Sequence, residues 1–349
     1  YDLSAYVGQL VRVRLFAQWG AGDYYLDLDD FYFGPAISSA VVVSSSYGGA
    51  DISCNGFADG EATAEGANGF PPYTYQWDSN AANQTTSIAT GLSAGLYFVT
   101  ITDATGSTIT DSVVVTEPTA LDPIASVSDF TGFNISCAGA ADGSVALSVT
   151  GGIEPYSYSW STGDTTESIL DLPAGPISGT VTDFNGCSFT YTDTLTEPEM
   201  LMIDSVGIMN ASCFGEPSGS VFVSVTGGAG MYSYSWSDAS IGDNPMGMNL
   251  TAQPYSVIIT DENNCEIFDT LTVGQPPLLE ATATADGSTA FVDITGGTAP
   301  YSILWDDCNN STTDTVTNLP DGPYEVVITD ANGCTDTAFV DIATNIEIE

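Results

Sequence analysis

The residues of this chain with the clearest capacity for chemistry are its seven cysteines. Two follow the same pattern, "ISC" ending at Cys137 and "ASC" ending at Cys213, and two close an aspartate turn, "DFNGC" ending at Cys187 and "DENNC" ending at Cys265. A pair of cysteines that recurs at matching positions predicts disulfides, here Cys137–Cys187 and Cys213–Cys265. Disulfide bonds in turn indicate an oxidising, extracellular compartment.

The other three cysteines fit this pattern less completely. Cys334 ends a further turn of the same kind, and Cys308, just after Trp305, is its predicted partner. The first such turn reads "DATGS", with Ser107 at the cysteine position, so we expect Cys54 to be a free or intermolecular thiol. Zinc is a poor alternative, because the chain has no His and no Cys-x-x-Cys pair.

Each of these turns begins with an aspartate: Asp103, Asp183, Asp261 and Asp330. A carboxylate that accepts hydrogen bonds from the amides of its own turn explains this recurrence. A calcium ligand is the sharper alternative, and calcium is the only candidate cofactor. The net charge of −43, from 45 acidic and 2 basic residues, attracts cations but equally fits a soluble surface in salt-rich water.

The composition excludes most enzyme classes. Without His or Lys there is no Ser-His or Cys-His pair, no HExxH zinc site, no Schiff base and no P-loop. A pair of carboxylates, as in glycosidases, remains available, but no recurring pattern places two acids across a cleft. The same charge repels phosphate, so we expect no nucleic-acid partner, and no apolar run predicts membrane insertion. A non-catalytic protein is therefore predicted.

A recurring heptapeptide identifies the elements that must position these side chains. It reads "PPYTYQW" ending at Trp77, "EPYSYSW" at Trp160, "GMYSYSW" at Trp236 and "APYSILW" at Trp305. In a strand, residues two apart share a face, so the Tyr and Trp side chains lie together and the hydroxyl residues lie opposite. We interpret the aromatic row as the inward face of a sandwich strand, with a carbohydrate-stacking platform as the alternative.

The surroundings of the heptapeptide repeat as well. A Gly-rich turn precedes it, a run ending in Thr-Asp follows it, and "TEP" or "GQP" closes the copy. Four units of this size, rich in Thr, Val and aromatics, predict an all-β fold of tandem immunoglobulin-like β-sandwiches, and the alternating segment before them predicts a strand pair. The predicted boundaries are 1–43 for that strand pair and 44–118, 119–198, 199–276 and 277–349 for the repeats, the last including a C-terminal linker.

The string "ISC…ADGS…TGG…PYSYSW…LPAG…VTDFNGC…TEP" resembles the SprB-type repeat of gliding adhesins and other giant bacterial surface proteins exported by type IX secretion. The resemblance covers roughly residues 44–343, with the first copy the most divergent. It implies an immunoglobulin-like sandwich, cell-surface display and an adhesive or filamentous role. The first 35 residues resemble the end of a MAM-like jelly roll, and the terminal "TNIEIE" is similar to the linker before a type IX sorting domain, so a mature or truncated piece of a longer precursor is expected.

Asp-Ser/Thr-apolar triplets resemble the O-glycosylation signal of such bacteria, which makes six hydroxyl residues candidate sites: Ser112, Thr194, Ser205, Thr270, Thr315 and Thr337. The predicted function is that of an extracellular structural or adhesive repeat protein in a surface stalk or filament. The alternative is a module that binds a glycan or protein and is attached to a larger secreted protein. The predicted partners are other subunits or domains of an extracellular fibre, together with surface glycans or proteins.

Overall fold

The computed structural model describes residues 10–19, 22–32 and 36–343, and in these residues every regular element is a β-strand. Strands β1 (Leu10–Trp19) and β2 (Gly22–Tyr32) form an antiparallel pair of their own. The terminal "TNIEIE" and parts of the MAM-like segment lie outside the described residues.

The remaining strands fall into four consecutive sets of six. Set 1 consists of β3 (Ser38–Val43), β4 (Gly60–Ala67), β5 (Thr74–Trp77), β6 (Ile88–Leu92), β7 (Gly95–Thr102) and β8 (Thr108–Val115). Set 2 consists of β9 (Asp122–Val127), β10 (Ala141–Thr150), β11 (Ser157–Trp160), β12 (Ser168–Pro173), β13 (Gly175–Thr182) and β14 (Ser188–Leu195).

Sets 3 and 4 follow the same plan. Set 3 consists of β15 (Met202–Met209), β16 (Gly219–Thr226), β17 (Ser233–Trp236), β18 (Met246–Leu250), β19 (Pro254–Thr260) and β20 (Glu266–Thr272). Set 4 consists of β21 (Glu280–Asp286), β22 (Thr289–Thr295), β23 (Ser302–Trp305), β24 (Thr315–Val316), β25 (Gly322–Thr329) and β26 (Thr335–Ile342).

Every set forms two three-stranded sheets with the same topology. Its first, second and fourth strands make one sheet, and its third, fifth and sixth strands make the other. In set 3, for example, Val221 and Val223 of one sheet and Trp236, Val257 and Ile259 of the other share one buried cluster. The sets are therefore sandwiches, as the alternation of apolar and polar residues predicts.

The chain divides into two compact units. The first comprises Tyr1–Val127, Ser144–Leu170 and Gly175–Thr194 and contains the core of set 1, built around Trp77. The second comprises Ser128–Gly143, Asp171–Ala174 and Leu195–Glu349 and contains the cores of sets 3 and 4, built around Trp236 and Trp305.

One strand belongs to set 1 although the predicted boundaries assign it to the N-terminal segment 1–43. β3 (Ser38–Val43) was placed with the N-terminal segment, but it pairs in register with β4, from Ser38 opposite Ala67 to Val43 opposite Ala62. The physical reason is that in every set the first strand forms backbone hydrogen bonds along one edge of the second strand. Val41 and Val43 pack against the core of set 1.

Candidate functional site

The cysteines lie in two kinds of connection at opposite ends of a sandwich. In sets 1 to 3 a long loop joins the first two strands and carries Cys54, Cys137 or Cys213. A tight turn joins the last two strands and carries Cys187, Cys265 or Cys334 in sets 2 to 4. We call these the cysteine loop and the aspartate turn.

Three disulfides connect each cysteine loop to the aspartate turn of the next set along the chain. They are Cys54–Cys187, Cys137–Cys265 and Cys213–Cys334, each with a Cα–Cα distance of 5.7 Å. Among the described residues Cys308 is the free cysteine, and it is exposed. Consecutive repeats are thus joined covalently by three equivalent joints.

The predicted pairs Cys137–Cys187, Cys213–Cys265 and Cys308–Cys334 are therefore wrong, as is the prediction of a free Cys54. The reason is visible in set 3, where Cys213 precedes the beginning of β16. The aspartate turn lies at the other end of that strand, since Ser233, shortly after β16, pairs with Thr260 at the end of β19. The eight residues of β16 span roughly 26 Å, whereas a disulfide needs Cα atoms within about 7 Å.

An asparagine two residues before each turn cysteine strengthens the joint. The Asn263 amide donates to the carbonyl oxygens of Phe130 (3.2 Å) and Ser136 (3.0 Å) and accepts a hydrogen bond from the Thr131 hydroxyl (2.6 Å). Asn185 donates to Tyr47 O and Ser53 O at 3.3 and 3.0 Å. Each joint thus combines one covalent bond with hydrogen bonds from side chain to backbone.

In the third joint, Asn332 takes the corresponding place and donates to Ser212 O at 2.9 Å. The recurring Asn-x-Cys of the turn is therefore the joint's recognition element. Sequence reasoning missed this role of the asparagines, although their spacing from the cysteines was constant.

The "TEP" and "GQP" motifs anchor the cysteine loops. The carboxylates of Glu117 and Glu197 each accept a hydrogen bond, at 2.6 Å, from the backbone N–H of Gly56 and Gly139 respectively. In set 3, Gln275 Oε1 accepts from the N–H of Gly215 at 2.7 Å. Because these residues end their set, they hold the loop against the connector that leads to the next set.

The turn aspartates use both carboxylate oxygens on backbone donors. In set 3, Asp261 Oδ1 accepts from the N–H groups of Asn263 and Cys265 at 2.9 and 2.8 Å, and Oδ2 accepts from that of Ala229 at 2.8 Å. Asp103, Asp183 and Asp330 make the equivalent bonds. Each aspartate therefore ties its own turn to the Gly-rich turn before the heptapeptide.

This geometry favours the hydrogen-bonding interpretation of the aspartates over calcium binding. All four side chains are buried, at 4 to 6 % exposed, and they lie in separate sets. Within the described residues no three Asp, Glu or Cys side chains converge on a point that could hold a metal ion. The structure therefore offers no support for a calcium site at these positions.

The hydrogen bonds also lower the pKa of two of these carboxyl groups. The Thr105 hydroxyl, helped by backbone N–H donors, holds the pKa of Asp103 below its usual value despite partial desolvation. Burial raises the pKa of Asp330, but the N–H groups of Cys334 and Thr298 outweigh it, and the net effect is a lower pKa. The hydrogen bonds therefore favour the ionised form of both carboxyl groups.

The tryptophans of the heptapeptide lie inside the sandwiches. Trp77, Trp160, Trp236 and Trp305 are 0 to 8 % exposed. Each indole N–H donates to a backbone carbonyl six to nine residues later, for example Trp77 to Thr86 O at 2.9 Å. The core interpretation is therefore confirmed for the Trp side chains. Tyr75 and Tyr234 are half-buried and pack against the same cores, which favours a core role over a carbohydrate-stacking platform.

The candidate glycosylation residues differ in exposure. Ser112, Thr194, Ser205 and Thr270 are exposed on strands, whereas Thr315 and Thr337 are half-buried. The Thr270 hydroxyl also lies 2.8 Å from that of Ser256. The four exposed residues are therefore the more accessible candidates in the folded chain.

The series of joints ends at both outer sets. In set 1 the aspartate turn carries Thr105 and Ser107 in place of both the Asn and the Cys that form a joint. In set 4 the cysteine loop is replaced by a tight hairpin, in which Asp286 pairs with Thr289. Set 1 therefore contributes only its cysteine loop to a joint, and set 4 contributes only its aspartate turn.

The repeat is similar to a known family of repeats. The family described as SprB repeat matches residues 50–82, 133–165 and 205–240, which are the cysteine loops and the strands that follow them in sets 1 to 3. Set 4, expected to match well, is not among these matches, in keeping with its missing loop. A comparison with curated protein sequences gives no match.

The fold comparison returns modular β-sandwich proteins. They include bacterial invasin (11% identity, 88% of this chain and 79% of that chain, TM-score 0.34). An ice-binding adhesin of an Antarctic bacterium matches with 16% identity over 89% of this chain and 100% of that chain (TM-score 0.29). The eight N-terminal Ig domains of DSCAM match with 10% identity over 89% of this chain, which spans 58% of that fragment (TM-score 0.21). No described helix is long and apolar enough to cross a bilayer.

Proposed function

We propose that this chain is a non-catalytic extracellular segment of a surface stalk or filament, in which SprB-type sandwiches act as covalently joined structural modules. The observation that carries the proposal is the joint itself, repeated three times with the same cysteine, asparagine and loop geometry. A disulfide that links separate modules adds strength only where thiols stay oxidised, which supports a location outside the cytoplasm.

The composition agrees with this role. The acidic side chains keep the modules soluble at high local concentration, since like charges repel. The missing His and Lys leave little catalytic chemistry available. Type IX secretion, a MAM-like neighbouring domain and glycosylation remain parts of the same proposal that direct experiments must address.

An adhesive contribution is supported by apolar side chains on the second sheet of each set. Every set exposes a phenylalanine there: Phe98, Phe189, Phe268 and Phe339. In set 3, Phe268 stands opposite Ile258 across the β19–β20 pair, and these side chains are 80 and 44 % exposed. Such a surface fits contact with the apolar faces of sugars or proteins.

The decisive experiment is electron microscopy of intact producing cells labelled with an antibody against this chain. We expect gold particles along structures that extend from the cell surface. Label found only inside permeabilised cells would overturn the proposal. For the adhesive part, arrays of glycans and surface proteins are probed with the wild-type chain and with Phe268→Ser, and equal signals from both would contradict a role for that face.

A further inference from the structure

The three disulfides overlap along the chain, and this overlap has a mechanical consequence. Each bridges a long stretch, with sequence separations of 133, 128 and 121 residues. The first ends at Cys187 and the third begins at Cys213, so the two are separated by a short piece of backbone. The second, Cys137–Cys265, spans that piece completely.

We propose that the staggered disulfides form a covalent tension path that limits how far the chain extends when its sandwiches unfold. Load that arrives at Cys54 crosses to Cys187, follows the backbone to Cys213 and crosses to Cys334. This path contains about 26 residues, which extend to roughly 90 Å, whereas the about 280 residues between Cys54 and Cys334 would extend to roughly 950 Å.

Most strands lie off this path. Strands β4 to β13 belong to the loop closed by Cys54–Cys187, and β16 to β25 belong to the loop closed by Cys213–Cys334. Between Cys54 and Cys334, only β14 and β15, which lie between Cys187 and Cys213, carry load directly. The middle disulfide, Cys137–Cys265, lies parallel to this segment and serves as a longer backup connection.

Disulfides within each repeat would act differently. They would shield each sandwich separately but leave every connector in the path, for a total of about 150 residues and roughly 500 Å. The observed pairing shortens the path further, because each bond passes over the end of one module and the start of the next. The staggered joints thus convert separate modules into one nearly inextensible tether.

The use of this tether by a cell rests on the proposed stalk function, but the connectivity can be tested on the purified chain alone. The full chain is held by its two ends and stretched in a single-molecule force experiment, with and without reductant. We expect reduction to increase the total extension by roughly 850 Å. An increase of about half that value would indicate pairing within repeats and overturn the proposal.

Paired variants identify the path. Cys213→Ser with Cys334→Ser diverts the load through Cys137–Cys265, and we expect roughly 300 Å of additional extension under oxidising conditions. Cys137→Ser with Cys265→Ser removes the backup bond alone and leaves the oxidised extension unchanged. If both double variants lengthen equally, the assigned path is wrong. Because no cell is involved, such a failure is separate from a failure of the surface-labelling experiment.

Discussion

At the scale of single residues, the Gly-rich turn before the heptapeptide is tightly constrained in sets 2 to 4. Gly227 has a φ of +74°, and a Cβ at this residue would lie 2.0 Å from the Met200 carbonyl oxygen. Its neighbour Gly228 lies against the Asp261 carboxylate, where a Cβ would be 2.7 Å from Oδ2. The backbone and the buried carboxylate therefore occupy the space that any side chain would need.

We predict that Gly227→Ala lowers the free energy of unfolding by about 3 to 4 kcal/mol, the sum of a left-handed backbone penalty and a collision with backbone. The matched control is Gly287→Ala, because Gly287 has a φ of +60° but nothing within 4 Å of its Cβ position. It should cost only about 1 kcal/mol. Urea unfolding of both variants measures the difference, and equal losses would contradict the argument.

The turn aspartates predict a pH dependence. Because hydrogen bonds from Thr105 and from backbone N–H groups lower the pKa of Asp103, its contribution to stability is complete above the ordinary carboxyl pKa and is lost as the pH falls through the lowered value. We expect Asp103→Asn to have a lower Tm than wild type at pH 7, with the gap closing as the pH falls below the ordinary carboxyl pKa of about 3.9 and through the lowered pKa of Asp103.

The control for this prediction is Asp341→Asn, which removes the same charge from an exposed position on β26. It relieves repulsion in an acidic chain and should leave the Tm unchanged or slightly raised at pH 7. Thermal unfolding monitored by circular dichroism between pH 2 and 7 gives both curves. A gap for Asp103→Asn that persists at pH 2 would show that the carboxylate's charge is not what stabilises the turn.

At the scale of elements, the joint depends on one loop and one turn, and asparagine is their noncovalent contact. Replacing Asn263 by Ala removes three hydrogen bonds and leaves the carbonyls of Phe130 and Ser136 without this donor. We expect a local loss of about 2 to 3 kcal/mol. The disulfide holds the loop nearby, so the loss appears as faster amide exchange in residues 130–136 rather than as global unfolding.

Hydrogen exchange with mass spectrometry checks this on the oxidised chain. Asn309→Ala is the control, since Asn309 is exposed and lies in a loop of set 4 away from the joint. Unchanged exchange in residues 130–136 of Asn263→Ala would mean that the disulfide alone orders the cysteine loop.

The elements themselves were accessible to sequence reasoning, and their pairing across repeats was not. Period-two alternation and the Trp of the heptapeptide identify a sandwich strand, because both features depend only on contacts inside one sandwich. The partner of Cys137 depends on which end of a strand each connection occupies and on which repeat stands beside it. Pairing within repeats explains the cysteines of the second and third repeats by one rule. It leaves Cys54 and Cys334 without a partner at the matching position of their own repeats.

One signal in the chain does favour the staggered arrangement. The first set lacks a turn cysteine and the last set lacks a loop cysteine. Pairing each loop with the following turn accounts for Cys54, Cys187 and Cys334 together and leaves only Cys308, which lies outside both kinds of connection. The positions of the missing residues, rather than those of the recurring ones, carry this information.

At the scale of the whole molecule, the overlapping disulfides protect the chain against a single backbone cut. The intervals from Cys54 to Cys187, from Cys137 to Cys265 and from Cys213 to Cys334 together cover every peptide bond from residue 54 to residue 334. Wherever one bond in this range is cleaved, at least one disulfide bridges the cut. A surface protein exposed to proteases keeps its distal end attached under these conditions.

Cleavage by a glutamate-specific protease tests this prediction. Glu199 is exposed and lies between Cys187 and Cys213, where only Cys137–Cys265 bridges the chain. Under limited digestion we expect wild-type protein cut there to migrate as one species without reductant and as two fragments with it. The variant Cys137→Ser with Cys265→Ser should release residues 1–199 from residues 200–349 even without reductant. Separation of the wild-type fragments without reductant would show that consecutive repeats are not covalently joined, because disulfides confined to single repeats leave this connector unbridged.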